Sequence, residues 1–274
     1  MTNGEPRRDS AYWKSYWDKH GASGATDYEV DRGTALKISK LQRRSDELFL
    51  RAVQPSPGDV LLDAGCGTGA NISKLSGRVA KIVAIDFSPE MIHRAQKRVI
   101  EEALGNVSLA VASITSLEYA DGTFDKVICT SVLQYLDDQD CRQAIREMIR
   151  VCRRGGSVIL HVKNSSSLYG LSLIVVKGVL RAFGRQPKPD RYRTWRWYKE
   201  AVVECGGQLE DWDSFGKLTF VPLPRAVVGT LLDLEVRFLG TWCLRKHGVN
   251  LQLTVKAGES PRSDADSVGY QVRG

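Results

Sequence analysis

The sequence predicts an α/β protein built on a doubly wound sheet, and three observations carry that prediction. From Asp59 onward, short β-branched or Leu-rich runs alternate with amphipathic segments. Those runs are apolar throughout, as in parallel strands covered by helices on both faces. The 274 residues are 42% hydrophobic and 26% charged, an ordinary globular composition that excludes a disordered or fibrous chain. The length allows one large domain with an elaboration, or two small ones.

The elements follow in order. Aromatics at Tyr12, Trp13, Tyr16 and Trp17 fall at i, i+1, i+4 and i+5, one face of a leading helix. Val60-Leu61-Leu62 reads as a strand, 71–75 as the opening of a helix and 81–85 as a strand. A helix follows over 89–104, with Ser88 as N-cap, Pro89 in the first turn with Glu90 behind it, and Gly105-Asn106 at its end. Strands at 107–111 and 126–129, a helix from about 139 to 152 and a strand at 157–162 complete the βα rhythm. Sheets of this kind bind ligands at the carboxyl ends of their strands.

Beyond Val162 the pattern changes. A segment over 164–193 precedes a helix capped by Thr194 and closed by Gly206-Gly207. A polar strand at 208–213, a stretch at 215–246 rich in Pro and apolar residues, and an alternating strand at 250–255 follow. No internal repeat is present. The ends, roughly 1–10 and 257–274, are Ser/Gly/Asp-rich and are expected to be disordered.

The net charge of +7 is unevenly spread. Residues 1–150 carry 20 basic and 21 acidic side chains, and residues 151–274 carry 19 and 11, so the excess belongs to the second half. Arg181, Arg185, Lys188, Arg191, Arg193, Arg196 and Lys199 face only Asp190 between positions 181 and 199. An acidic partner would meet the chain there. The six cysteines are widely spaced without a CxxC pair, so neither a zinc site nor a redox pair can be read from them. The polar N-terminus lacks an apolar signal core, and no run approaches the ~20 apolar residues of a membrane span. The expectation is a cytoplasmic protein with reduced thiols.

The chemistry concentrates in Asp63-Ala-Gly-Cys-Gly-Thr-Gly69, where a buried strand runs into a Gly-rich turn at a helix start. Gly65, Gly67 and Ala70 also satisfy the dinucleotide fingerprint, so the glycines alone decide little. Asp63 decides more: it stands where a dinucleotide would put its anionic pyrophosphate. The same carboxylate suits a ligand carrying an ammonium and a sulfonium, namely S-adenosyl-L-methionine. Asp86, ending the second strand, suits both hydroxyls of a ribose.

On this motif the sequence resembles the class I S-adenosylmethionine-dependent methyltransferases. It is most similar to the small-molecule group related to ubiquinone and menaquinone biosynthesis enzymes, the type 11 methyltransferases. The resemblance covers roughly 55–163. It implies a Rossmann-like, mostly parallel seven-stranded sheet with an antiparallel last strand and a helical substrate cap. It divides the chain into a lid segment (1–54), a cofactor core (55–163), a cap that also completes the sheet (164–256) and a disordered tail (257–274). It implies that Gly65, Cys66, Gly67 and Gly69 wrap the methionine and ribose of the cofactor, with Asp86 on the ribose and Phe87 against the adenine. Thr130 and Ser131, after Phe124-Asp125, would lie near the sulfonium, and 153–157 matches the turn before the fifth strand. Two positions depart from the pattern. Where many relatives carry Gly-Asp this chain has Ala112-Ser113, so adenine recognition would lean on Ser113, Ile114 and backbone. Where relatives often have His-containing pairs it has Gln134-Tyr135.

Methyl transfer is an in-line displacement in which the enzyme positions the nucleophile and excludes water. A hydroxyl acceptor benefits from a general base. The candidates are His161, near the carboxyl end of the fifth strand, and His20, in the leading segment that resembles a lid. A packed strand histidine and a plain docking helix are the structural alternatives. Tyr28 and Arg32 are candidates for the cofactor carboxylate, or for a surface role.

The second half supplies two candidate cap segments. One is a basic amphipathic helix over 171–183, with Lys177, Arg181 and Arg185 every four residues; the other is an apolar stretch over 220–234. Together they favour a hydrophobic or lipid-linked small-molecule acceptor, methylated at oxygen, with a peripheral contact at the inner face of a membrane. Cations alternate with aromatics over 191–199, which leaves an RNA methyltransferase as an alternative. A non-catalytic cofactor-binding partner subunit is a second one. No metal ligand set is read from the sequence.

Overall fold

Apolar runs that cannot face water on either side must be covered by helices, and the chain does this around one sheet. The computed structural model describes residues 10–23, 39–167, 177–184, 190–215, 248 and 250–258. Seven strands are ordered β3-β2-β1-β4-β5-β7-β6. They are β1 (Val60–Ala64), β2 (Lys81–Asp86), β3 (Val107–Val111), β4 (Phe124–Thr130), β5 (Cys152–Lys163), β6 (Gly207–Phe215) and β7 (Asn250–Ala257). The pairs from β3 through β5 are parallel. Only β7 runs against its neighbours, β5 and β6. The fold is therefore the doubly wound, mostly parallel seven-stranded sheet with an antiparallel last strand that the sequence implies.

Helices α1 (Ser10–Ala22), α2 (Ser39–Val53), α3 (Ala70–Leu75), α4 (Pro89–Glu101), α5 (Asp138–Val151) and α6 (Trp195–Glu204) surround the sheet. One face, with Leu62, Val127, Val158, Leu160 and Leu253, packs against Ile145, Met148, Tyr198 and Val202 of α5 and α6. The other, with Leu61, Ile82, Ile128 and Ile159, packs against Phe49, Val53, Ile72 and Ala95 of α2, α3 and α4. Burial on both sides is the physical reason these strands read as apolar runs.

The caps form where the side chains allow. Ser88 accepts from the Met91 N–H at the head of α4, and Thr194 from the Trp197 N–H at the head of α6. Two boundaries move. The helix expected over 89–104 ends at Glu101, because Ala103 takes a left-handed φ of 52°. Helix α2 has no counterpart in the sequence reading, because its 15 residues are strongly charged; among its described side chains Leu48, Phe49 and Val53 are buried. The apolar stretch at 220–234, Tyr28, Arg32, Arg185, Lys188 and nearly all of the 257–274 tail lie outside the described residues.

The order of strands reverses between β1 and β4, with β2 and β3 to one side and β5, β7 and β6 to the other. A crevice opens outside the carboxyl ends of the strands at such a reversal. Asp63, the glycine turn and Thr130 all come to that point.

Candidate active site

The turn after β1 is latched to β2 by its backbone. The N–H groups of Gly65 and Cys66 both donate to the Ile85 carbonyl, at 2.8 and 2.9 Å. Gly65 and Gly69 each have φ of 84°, a left-handed conformation that only glycine adopts without strain. At Gly65 a Cβ would also collide with Val132. At these two positions the loop therefore has to be glycine, which leaves its backbone open to close approach by a ligand.

Asp86, at the end of β2, has its carboxylate aimed by two backbone groups. Its Oδ2 accepts from the Gly67 N–H and its Oδ1 from the Ser88 N–H, both at 3.0 Å. A carboxylate aimed in this way suits a vicinal diol. Asp63 is 1% exposed beneath the loop. Burial, then the Asp63 carboxylate, push the Cys129 thiol well above its usual range, and Asp86 adds to the shift. This junction is anionic. It fits a cofactor with cationic groups and a ribose, and it would repel a pyrophosphate.

On the β4 side, Thr130 accepts from the Asn71 amide at 3.1 Å. Ser131 follows with φ of 59° and donates its N–H to the His161 carbonyl at 2.8 Å. This non-glycine in the left-handed region bends the chain sharply away from the sheet. Thr130 and His161 are register partners on β4 and β5, so their side chains share a face at the crevice.

The adenine side is looser. Ile114 is buried in the core, while Ser113 is exposed, with its hydroxyl 2.8 Å from that of Thr115 and accepting the Thr115 N–H. Phe87 is half-buried beside Asp86. Arg150 holds the following loop, donating to the carbonyls of Leu117 and Tyr119, while Glu147 accepts from the Leu117 N–H. The Arg150 hydrogen bonds hold the Glu147 carboxyl below its ordinary range.

Helix α1 closes over this crevice. Trp13 is buried with its ring 4.7 Å from that of Tyr135, and Trp17 meets the same ring edge-on at 5.3 Å. The Ser88 hydroxyl donates to Asp18 at 2.5 Å, and Arg94 of α4 donates to the carbonyls of Gly21 and Ser23. Thus Asp18, Ser88, Asp86 and Gly67 form one hydrogen-bonded path from α1 to the glycine turn. Tyr135 belongs to the Gln134-Tyr135 pair, and burial pushes its phenol up to about 12. It is a neutral docking ring for α1 rather than a base.

His20 ends up at the exposed end of α1, stacked on Tyr16 with its Nδ1 2.9 Å from the Tyr16 carbonyl. A carbonyl can only accept, so Nδ1 carries the proton and Nε2 faces away. His161 is buried in the sheet beside Thr130.

Within the basic segment Arg193 is buried, while Arg181, Arg191, Arg196 and Lys199 are exposed. Arg193 is 6% exposed and donates to the Leu133 and Leu136 carbonyls and to Asp138, at 2.9, 2.7 and 2.8 Å. It also lies over the Trp197 ring, which Arg142 approaches as well. Lys177 pairs with Asp190 at 2.6 Å. Trp195 stacks on Trp212 at 4.3 Å, and Tyr198 is buried. Of the cations expected to meet an acidic partner, Arg193 instead fastens the turn that carries Tyr135, while Arg196 stays exposed. The sequence singled out neither Asp18 nor Gln252, both of which bear on the site.

A methyltransferase-domain family profile matches residues 61–156. Residues 61–156 form a class I S-adenosylmethionine-dependent methyltransferase domain. S-adenosylmethionine is the cofactor of that domain. The chain is 34% identical over 125 residues to a phosphatidylethanolamine N-methyltransferase of Cereibacter sphaeroides, spanning 45% of this chain and 58%, little over half, of that one. It is 28% identical to a demethylmenaquinone methyltransferase of Bacillus mycoides over 167 residues, 59% of this chain and 69% of the relative. A geranyl diphosphate methyltransferase, solved in complex with its cofactor, superposes with a TM-score of 0.57 at 18% identity, over 93% of each chain. That likeness is one of fold. Among the described residues no helix is long and apolar enough to cross a membrane, and no cluster of His, Cys, Asp and Glu could hold a metal ion.

Proposed function

We propose that this protein transfers a methyl group from S-adenosylmethionine to a small-molecule acceptor, at oxygen, and that the acceptor is hydrophobic or lipid-linked. The carrying observation is the anionic junction between β1 and β4. There Asp86 is held by two backbone N–H groups, and Thr130 and His161 are register partners on one face of β4 and β5. The bound cofactor supplies a methyl on a cationic sulfur. The chain's own part is to orient and enclose. Asp86 accepts from the ribose hydroxyls, with the N–H groups of Gly67 and Ser88 fixing its angle. Gly65, Cys66, Gly67 and Gly69 leave room for the methionine and ribose. Phe87, Ser113 and Ile114 border the adenine, and Asp63 lies beneath the cationic end. Trp13 and Trp17, docked on Tyr135, exclude water. His161 takes the proton of the acceptor hydroxyl, because it lies beside Thr130, whereas His20 is exposed at the end of α1.

Two relatives are named for phosphatidylethanolamine and demethylmenaquinone, both lipids. Val179 and Phe183, 51% and 80% exposed on the stretch 177–184, support an acceptor met at a membrane surface. The burial of Arg193 and Tyr198 and the stacking of Trp195 on Trp212 argue against the RNA alternative, because they take those side chains away from bases. Incubation with labelled S-adenosylmethionine and separate lipid and aqueous cell extracts tests the proposal. Label in lipid is expected, label in the aqueous fraction alone overturns the hydrophobic acceptor, and binding without turnover of any extract overturns the transfer.

A further inference from the structure

The face of β7 at the crevice carries a buried amide that no described residue uses. Gln252, on β7, is 3% exposed, and among the described residues neither its Oε1 nor its Nε2 has a hydrogen-bond partner. Its neighbours Leu251 and Leu253 point to the opposite face and pack in the core. Gln252 is the register partner of His161 on β5 and of Asp213 on β6, and His161 is the partner of Thr130 on β4. Register partners on adjacent strands share a face. One polar row therefore crosses four strands: Thr130, His161, Gln252 and Asp213.

The row lies just above the apolar floor. Two residues below it, Ile128 and Ile159 belong to the cluster beneath Phe49 and Val53. A glutamine in a dry sheet with both polar atoms unmatched is unfavourable, since each would be hydrogen-bonded to water in the unfolded chain. Leucine there would continue the floor. An amide retained at such a cost marks a place where a partner arrives from outside the protein.

We infer that Gln252 is a specificity-determining residue that receives a second, uncharged hydrogen-bonding group of the methyl acceptor, such as a hydroxyl, a phenol or a carboxamide. This rests on the methyl-transfer reading above. The amide offers one acceptor and two donors and no charge, so it matches a neutral group that both donates and accepts. Adjacent strands are ~4.8 Å apart, which puts Gln252 roughly 10 Å from Thr130. The acceptor then has its methylated oxygen by Thr130 and His161 and its second polar group two strands away. The Asp213 carboxylate, whose Oδ1 accepts from the Ser214 N–H at 2.7 Å, closes the row and disfavours an anionic group there.

The test uses the full chain with Gln252→Leu and Gln252→Met. Without acceptor, and saturated with S-adenosylhomocysteine, both variants are expected to melt at or above the wild-type temperature, by up to about 2–4 °C, with unchanged S-adenosylhomocysteine affinity. A clear fall in melting temperature in both variants would show that the amide is structural and would overturn the inference. In the labelling assay, titrated with whichever extract the wild type methylates, the variants are expected to need at least tenfold more extract for half-maximal label. An unchanged half-saturation also overturns it. If the wild type labels neither extract, the methyl-transfer reading fails, while the melting comparison still decides whether the amide is retained for a ligand.

Discussion

The two sides of the β1–β4 junction are held by different means. On the cofactor side the parts come from one continuous stretch, and backbone groups do the positioning: Gly65 and Cys66 on the Ile85 carbonyl, Gly67 and Ser88 on Asp86. On the acceptor side the parts come from β4, β5, β6, β7 and the segment before α6. Side chains hold them, above all Arg193 on the turn over 133–136. Backbone latches survive most substitutions, whereas a side-chain clamp changes with each residue. The difference teaches that the β1–β2 side of the junction rests on generic backbone latches and the other side on individual side-chain clamps, a contrast that matches the proposed division between cofactor and acceptor.

The largest effect expected is on the cofactor side. Asp86→Asn keeps the shape but weakens charge-assisted bonds to two backbone donors and a diol. At about 1.5–3 kcal/mol each for two ribose bonds, affinity for S-adenosylhomocysteine should fall at least ~100-fold. Calorimetric titration checks it, and affinity within threefold of wild type would break the assignment of this carboxylate to the ribose.

Next, the two histidines separate the acceptor side from the lid. His161→Gln should lower kcat by about 100-fold, the usual size of a general-base contribution. His20→Gln should stay within a few-fold. The opposite ranking in methyl-transfer assays would move the base to α1.

Arg193→Met should cost about 2–4 kcal/mol of folding stability, because it strips two carbonyls and Asp138 of their donor at a buried site. Urea unfolding measures this. S-adenosylhomocysteine affinity should change far less than in Asp86→Asn, and an equal loss would mean that the two sides are not independent.

The same division explains what was legible in the residues. Asp63-Ala-Gly-Cys-Gly-Thr-Gly69 and Asp86 read clearly because a strand, a tight turn and a strand end are local features with few chemical solutions. The Ser88 and Thr194 caps read for the same reason. Arg193 was read as part of a basic face because charge counting along a chain cannot see Leu133 and Leu136, about 60 positions away. Gln252 looked like the solvent-facing member of an alternating strand, since only the neighbours β5 and β6 decide that both faces of β7 are covered. Helix α2 was missed because its residues are strongly charged, although Leu48, Phe49 and Val53 pack in its last turns.

The smallest effect concerns α1, which besides its aromatic face is tied to α4 by the Ser88–Asp18 bond and by Arg94 on the Gly21 and Ser23 carbonyls. Burial raises the Asp18 carboxyl, but hydrogen bonds from Lys14 and Ser88 outweigh it and hold the group below its ordinary value. A carboxyl lowered by folding contributes stability that is fully present above its unfolded pKa and is lost as pH falls through the folded one. Docking of α1 should therefore be flat near neutrality and weaken below about pH 4. The group is partly exposed, so its worth is that of a surface pair, under ~1 kcal/mol. Asp18→Asn should make cleavage in α1 by a protease slightly faster at neutral pH and remove much of its acid dependence. A cleavage rate in the variant that still rises in acid as steeply as in wild type would show that the rings of Trp13, Trp17 and Tyr135 and the Arg94 bonds hold α1 without Asp18, and that the path from Asp18 to Asp86 does not couple the lid to the ribose site.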